Sequence, residues 1–550
     1  MNASAAELSP TNNIPTANTG ARPVAPFRNE PFTDFSEAGN RRAMEEAIVH
    51  VRGRIGQEYP MVIGGQRMKT HEKIVSRNPA RPTEIIGIHQ EPDTGHAEQA
   101  VHAALDAFPA WSAKPMAERA ELLLRAAAII RERKFEFCAW LTVEVGKNWA
   151  EADADVGETI DFLEFYAREA MKLDAATTPI QFPGERNRLR YIPLGVGAVI
   201  SPWNFPLAIM AGMTAAAIVC GNTVVLKPSV DAPTIAAHFY AVLEEAGLPE
   251  GVVNLCAGSG PVFGNALVEH PDVRFISFTG SKKVGLEIHE KAARRRDGQI
   301  FIKRTVLELG GKDAIIVDAD CDIDAAVEGV VASAFGFSGQ KCSACSRVIV
   351  DERIYDAFLE QLVEKARAIK VGDPAENFYL GPVISPTAYE RVLNYIAVGK
   401  TEGRLVLGGE AIDHEGGYYI APTIFADVAP TARIAQEEIF GPVLAVIKSS
   451  GFEESLQIAN STEYGLTGAV YSQSRDRLEW AARDFHVGNL YFNRKCTGAM
   501  VGAHPFGGFN MSGTDSKAGG ADYLLLFTQA KSIAQKIAAA PDAADHGKGL

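Results

Sequence analysis

The chain has 550 residues, 47% hydrophobic and 22% charged, and its 54 Lys and Arg against 68 Asp and Glu leave a net charge of −14. That length and mix describe a globular protein of about three domains. The acidic balance argues against nucleic acid or an anionic membrane surface as a partner, since both reward clustered cations. Seven cysteines, odd in number and scattered, form no disulfide framework and point to a reducing, cytoplasmic setting.

Residues 1–25 are rich in Asn, Thr, Ala and Pro without an apolar run, so they read as a disordered tail rather than a secretory leader. Residues 36–56 and most of 94–170 carry apolar side chains at three- and four-residue spacing, clearest over 117–133 and 155–170, and predict amphipathic helices. From Tyr191 to Leu226 no charged residue occurs, yet Pro202, Asn204, Pro206, Gly221 and Asn222 interrupt the run. The apolar piece left at 207–220 is shorter than the ~20 residues a membrane span needs.

The texture from there is alternating. Strands are predicted at 196–201, 223–226, 252–256 and 274–279, with helices at 206–220, 232–246, 261–269 and 282–295. Consecutive βαβ units imply a parallel doubly wound sheet, whose ligand crevice lies at the C-terminal ends of its strands. Gly258, Gly260 and Gly264 follow a strand, but their spacing misses the G-x-G-x-x-G fingerprint by one place and is a weak signal. A second α/β block opens near Arg304, with strands at 305–309 and 313–317 and helices at 322–336 and 352–370. Residues 173–195, turning at 182–185, and the strand-like 523–532 read as projecting strands, which suit an oligomer edge. The chain from 533 onward reads as loose.

Residues 338–346, "SGQKCSACS", contain a C-x-x-C that admits three chemistries. A structural zinc needs four ligands, usually two such pairs, and no second pair exists. A redox dithiol should open a helix directly after a strand, whereas 335–340 breaks an apparent helix before Cys342. Gly336 and Gly339 free the backbone to present a nucleophile at Cys342. Two merely buried thiols remain the plain alternative, and the local sequence leaves it open.

A thiolate nucleophile needs help with its pKa, a donor for the oxyanion and a base for water. Asn204 sits at a strand end between prolines, placed either to donate to an oxyanion or to cap a helix. Glu308 interrupts an apolar strand just before two glycines, as a paired structural carboxylate or as a base. Lys227 ends the second βαβ strand, where it would meet a ribose or simply solvent.

Together these pieces resemble the aldehyde dehydrogenase superfamily in order and spacing, over about residues 25–535. The matching motifs are "SPWNFP" (201–206), "KPS" (227–229), "FTGS" (278–281), "ELGGK" (308–312), "GQKC" (339–342), "EEIFGPV" (437–443) and "PFGGF" (505–509). Further stretches, "PFRNEP" (26–31), "EVGKNW" (144–149), "FHVGNLYFNRK" (485–495) and "FGGFNMSGTDSKAGGADYL" (506–524), are similar to the bacterial branch that oxidises L-glutamate γ-semialdehyde during proline breakdown.

The resemblance implies an α/β aldehyde dehydrogenase-like fold. A Rossmann-type cofactor domain would take 26–172 and 196–303, and an α/β catalytic domain 304–520. A β-hairpin oligomerisation element would take 173–195 and 521–532, leaving loose ends at 1–25 and 533–550. It implies Cys342 as nucleophile, Asn204 and the Cys342 N–H as oxyanion donors, and Glu308 as the base that releases the acid. That base argues against a relative that hands its acyl group to coenzyme A. For the cofactor it implies Lys227 and Glu438 on the ribose hydroxyls, Gly280 and Ser281 near the pyrophosphate, Phe440 on the nicotinamide side, and Ser229 and Trp203 as further binding residues. NAD is the expected cofactor. Val230 stands where many NAD-preferring relatives carry Glu, so NADP tolerance is also implied. For the substrate it implies donors at Ser343, Gly498 and Ala499, Glu158 toward the ammonium, and walls of Phe205 and Phe506. It implies no metal. A small-molecule aldehyde, a homo-oligomer and a separate proline dehydrogenase are the partners it suggests. Cys345 is left over, and its spacing suggests that oxidation could bridge it to Cys342.

Overall fold

The computed structural model describes residues 25–174 and 179–537. Of the two expected loose ends, 1–24 and 538–550 fall outside the described residues.

Two seven-stranded sheets carry the architecture. The first runs in the order Arg304–Glu308, Val273–Thr279, Val196–Ile200, Thr223–Lys227, Val253–Leu255, Met61–Ile63, Gln66–Met68. Its first five strands are parallel, and the last two add antiparallel. Val196–Ile200 and Thr223–Lys227 are buried at every position, which is why they read as β-branched and small residues without alternation. Strand order reverses on either side of Val196–Ile200, so the sheet opens a crevice above its C-terminal edge there. The register pairs Ile200 with Lys227 and Thr279 with Glu308. The loops after these four strands therefore leave from one rim.

The second sheet runs Arg404–Leu407, Thr423–Ala426, Val443–Ser449, Cys345–Asp351, Asp313–Val317, Thr467–Tyr471, Asn489–Phe492. It is parallel apart from the Arg404–Leu407 edge. Only Leu309–Lys312 separates the last residue of the first sheet's outer strand from the first residue of a central strand of the second. That short crossover sets the C-terminal rim of one sheet against the N-terminal rim of the other, where Asp313 pairs with Cys345.

The helix Ala208–Val219 is buried at every position but Ile209, and Gly212 brings it against Phe162 of the long helix Trp149–Asp174. Among the described residues no helix is long and apolar enough to cross a membrane.

Two expectations are corrected, and one stretch without an expected element proves structured. Residues 57–90 supply Met61–Ile63 and Gln66–Met68 at the edge of the first sheet and the strand pair Lys73–Asn78 and Arg81–Gln90 with Gln57–Glu58 beside it. Pro82 and a half-exposed, polar pattern hid them. The expected strand at 521–532 is instead a 3₁₀ turn, Ala521–Phe527, followed by the strand Thr528–Lys536, so 533–536 is ordered strand rather than loose end. Among the described residues of 173–195 only one strand forms, so the expected hairpin within the segment is not seen there. After the turn at Phe182–Glu185 its strand Glu185–Pro193 pairs antiparallel with Thr528–Lys536, and this ribbon has no third strand among the described residues.

Candidate functional site

The Ser201–Pro206 loop leaves the central strand with Ser201 N–H bound to the Lys227 carbonyl at 3.1 Å. Asn204 is buried and does not cap the following helix, whose N-cap is Leu207. Its Nδ2 instead donates to the Gln340 carbonyl at 3.1 Å, two residues before Cys342. One hydrogen bond thus ties the rim of the first sheet to the loop that carries the thiol.

That loop is held in an unusual shape. Phe337, Ser338 and Gly339 all adopt left-handed backbone, with φ of 49°, 55° and 68°. Such a conformation costs about 1–3 kcal/mol at each non-glycine position. Gly336, expected to supply the freedom, has an ordinary φ of −55°, whereas a Cβ on Gly339 would lie 2.2 Å from the Gly441 carbonyl. The strain is offset by Ser338 Oγ donating to Gly381 O at 2.7 Å and by the fully buried Gln340. Gln340 Nε2 donates to Pro382 O and its Oε1 accepts from Ile384 N–H. Gln340, whose polarity beside Lys341 argues from the sequence against burial before Cys342, is instead fully buried, because its amide finds partners on both atoms.

Cys342 is partly buried. Its thiol is pushed well above the usual value by burial and by the charges of Asp313, Glu308 and Glu438. The Gly310-Gly311 pair passes directly behind it. A Cβ on Gly311 would sit 2.4 Å from the Cys342 carbonyl oxygen, and one on Gly310 would sit 2.3 Å from Glu438 Oε2. Gly311 N–H donates to Glu438 Oε1 at 3.1 Å, and burial raises that carboxyl.

Glu308 ends the outer strand, and burial raises it to about 8 despite help from Ser516 and Lys517. Its Oε1 accepts from the Ser516 hydroxyl, a partner distant in sequence that no local motif announces.

On the other side of the rim, Lys227 is buried with its Nζ on the Pro228 carbonyl at 3.3 Å, and burial lowers it to about 8. Gly264, in the turn after Val253–Leu255, would place a Cβ 3.5 Å from Lys227 Cε, so that turn closes over the lysine. Ser229 Oγ accepts from Asp231 N–H. Gly280 N–H binds the Glu308 carbonyl, and Ser281 caps the helix Lys282–Ala293 through Val284 N–H. Trp203 and Phe440 meet edge to face, with centroids 5.4 Å apart.

The remaining candidates line the approach. Phe205 lies under Lys147, whose Nζ is 3.7 Å from the ring centroid and 4.9 Å from that of Phe337. Glu158, on the long helix, is raised to about 8 by burial and then by Asp155. Phe506 exchanges backbone hydrogen bonds with Ala518. Gly498 is left-handed, with φ 77°, and its carbonyl accepts from Arg494. Cys496, shortly before Gly498 and Ala499 in the chain, rests its thiol on the Ser343 carbonyl at 3.3 Å.

Cys345 is buried at the head of its strand. Its thiol donates to Arg347 O at 3.4 Å and faces Cys496, a different partner from the Cys342 that spacing suggested. All seven cysteines are free thiols, and among the described residues no three His, Cys, Asp or Glu side chains converge to hold a metal.

The model of the aldehyde dehydrogenase family matches residues 67–533. A 1-pyrroline-5-carboxylate dehydrogenase from Geobacillus sp. (strain WCH70) is 56% identical over 513 residues, 93% of this chain and 99% of that one. The crystal structure of 1-pyrroline-5-carboxylate dehydrogenase from Thermus with bound NAD superposes with a TM-score of 0.92 at 52% identity, over 94% of this chain and all of that one. Proline utilization A from Bdellovibrio bacteriovorus superposes with a TM-score of 0.91 at 44% identity, over 94% of this chain but 54% of that longer one.

Proposed function

Because the chain belongs to the aldehyde dehydrogenase family, we propose that it oxidises L-glutamate γ-semialdehyde, the open form of 1-pyrroline-5-carboxylate, to L-glutamate with NAD in proline breakdown. The observation that carries this reading is the Asn204–Gln340 hydrogen bond, which sets an amide donor beside the Cys342 loop, together with the near full-length relatives of that name.

The residues present suit a nicotinamide dinucleotide. Lys227 and Glu438 would take ribose hydroxyls, with Ser229 beside them. The helix opening at Ser281 offers free N–H groups for a pyrophosphate, and the Trp203–Phe440 pair would bound the nicotinamide. When bound, NAD supplies the hydride acceptor. The remaining work belongs to this chain. Cys342 first gives up its thiol proton to solvent, its Sγ then adds to the aldehyde carbon, and the oxygen takes the charge between the Asn204 amide and the Cys342 N–H. Loss of hydride leaves a thioester on Cys342. Glu308 draws a proton from water, which attacks the thioester carbon and frees the acid and the thiol. Glu158 faces the substrate ammonium, Ser343, Gly498 and Ala499 the carboxylate, and Phe205 and Phe506 its aliphatic stem.

We read 26–172 with 196–303 as the cofactor domain, 304–520 as the catalytic domain, and the ribbon of Glu185–Pro193 and Thr528–Lys536 as the oligomerisation element of a homo-oligomer. Its open edges support that reading, and the free thiols suit the reducing cytoplasm. A proline dehydrogenase is the natural supplier of the substrate. Comparing kcat/KM for glutamate semialdehyde and succinic semialdehyde with NAD tests the assignment. Preference for the succinic compound transfers the chain to another branch of the family.

A further inference from the structure

We propose that Ser516 is the positioning residue of the hydrolytic base, holding the Glu308 carboxyl in place through both halves of its proton cycle. The inference rests on the reading of Glu308 as that base.

The geometry is specific. Ser516 is 3% exposed, and its hydroxyl donates to Glu308 Oε1. Glu308 Oε2, equally shielded from solvent, has no hydrogen-bond partner among the described residues. One oxygen is therefore tethered by the hydroxyl and the other has no partner among the described residues, while the Ser516 and Gly508 N–H groups add to the pull toward the charged form. The tether is itself fixed on both sides. Asp515 and Lys517, flanking Ser516, are left-handed at φ 51° and 49°, and Gly513 lies at φ 154°. Two non-glycine residues of this kind, one on either side of Ser516, are costly and persist only where their surroundings dictate them. Here the surroundings are the strand that carries Glu308. Leu309 N–H binds Ser512 O at 2.8 Å, Thr514 N–H binds Leu307 O at 3.0 Å, and Thr514 Oγ1 accepts from Leu307 N–H at 3.0 Å. Lys517 Nζ then staples the far side to the Gly488 and Gly507 carbonyls, at 2.8 and 2.9 Å. The segment is strapped to residues 307–309 so that the serine between two strained residues points back at residue 308.

A serine suits the task because its hydroxyl rotates. It donates to a carboxylate and accepts from a carboxylic acid, so the contact survives when Glu308 takes the proton from water. As a donor it favours the charged form, which opposes the upward push of burial on Glu308.

The test follows the acyl enzyme directly. The NADH burst reports acylation, and the mass shift of the quenched subunit reports decay of the thioester across pH 6–9. In Ser516→Ala the rising limb of the decay rate moves up by about one pH unit, making decay about tenfold slower near neutrality while the burst rate and NAD affinity hold. Ser516→Thr, which keeps the hydroxyl, retains the wild-type limb. In Glu308→Gln the thioester forms and persists at every pH. A Ser516→Ala limb that stays put or moves down, with Glu308→Gln inert, overturns the role of Ser516 alone. A Glu308→Gln enzyme that still turns over removes the base and this assignment with it.

Discussion

Lys147 Nζ lies 2.8 Å from Asp155 Oδ2, and neither side chain reaches solvent. The pair does more than neutralise itself. Asp155 Oδ1 accepts the Ala208 N–H at 2.7 Å, fixing the start of the helix behind the Asn204 loop. Lys147 is wedged between the Phe205 and Phe337 rings. One ion pair thus braces the Asn204 loop and the Cys342 loop together.

Breaking it leaves an uncompensated buried charge, worth about 3–5 kcal/mol. Asp155→Ala should lower unfolding stability by that amount, read from urea denaturation, and kcat should fall with it. Lys147→Met combined with Asp155→Leu should cost less stability than Asp155→Ala alone, while activity stays low because Phe205 and Phe337 lose their common support.

Cys342→Ala should abolish NADH formation from the semialdehyde while NAD still quenches protein fluorescence with near-native affinity. Turnover retained in that variant would end the covalent mechanism.

Asn204→Ala should reduce kcat/KM by about 10²–10³, the loss typical of one oxyanion donor. The effect should fall on kcat rather than KM, because the charge it serves exists only after the thiol has added.

The Glu308 carboxyl sits near 8, raised by burial. Only the ionised form accepts a proton from water, so hydrolysis should climb with pH from 6 and level off above 8. The ionised fraction rises in that direction, and an acid catalyst at this position would give the opposite slope. Steady-state kcat across that range, under conditions where deacylation limits, checks the sign.

Val230 is exposed three positions after Lys227. Val230→Glu should depress kcat/KM with NADP about tenfold or more through repulsion of the 2′-phosphate, and leave NAD use within about twofold; one tenfold step corresponds to about 1.4 kcal/mol.

Residues at strand ends were legible because a buried β-branched run that stops on Lys227 or Glu308 announces both the strand and the exception. Asn204 was ambiguous locally, and its contact with the Gln340 carbonyl, far along the chain, is what excludes the helix cap. Ser516 was invisible, since it meets Glu308 through tertiary packing across 208 positions. The ribbon was half visible. Both strands carry extended patterns, but no turn joins them, so nothing local fixed the Glu185–Lys536 register. The strain at Phe337 and Ser338 could not be read because neither residue type favours left-handed backbone. Glycine was the natural guess, and it was right at 339 and wrong at 336.

The Gly310-Gly311 pair separates the peptide of the nucleophile from the Glu438 carboxylate by bare backbone, with no side-chain volume between them. A single methyl group at residue 310 would have to push the Glu438 carboxylate aside, and one at residue 311 would have to displace the Cys342 peptide itself. Alanine at either place therefore disturbs the neighbourhood of the thiol without touching the thiol's own side chain.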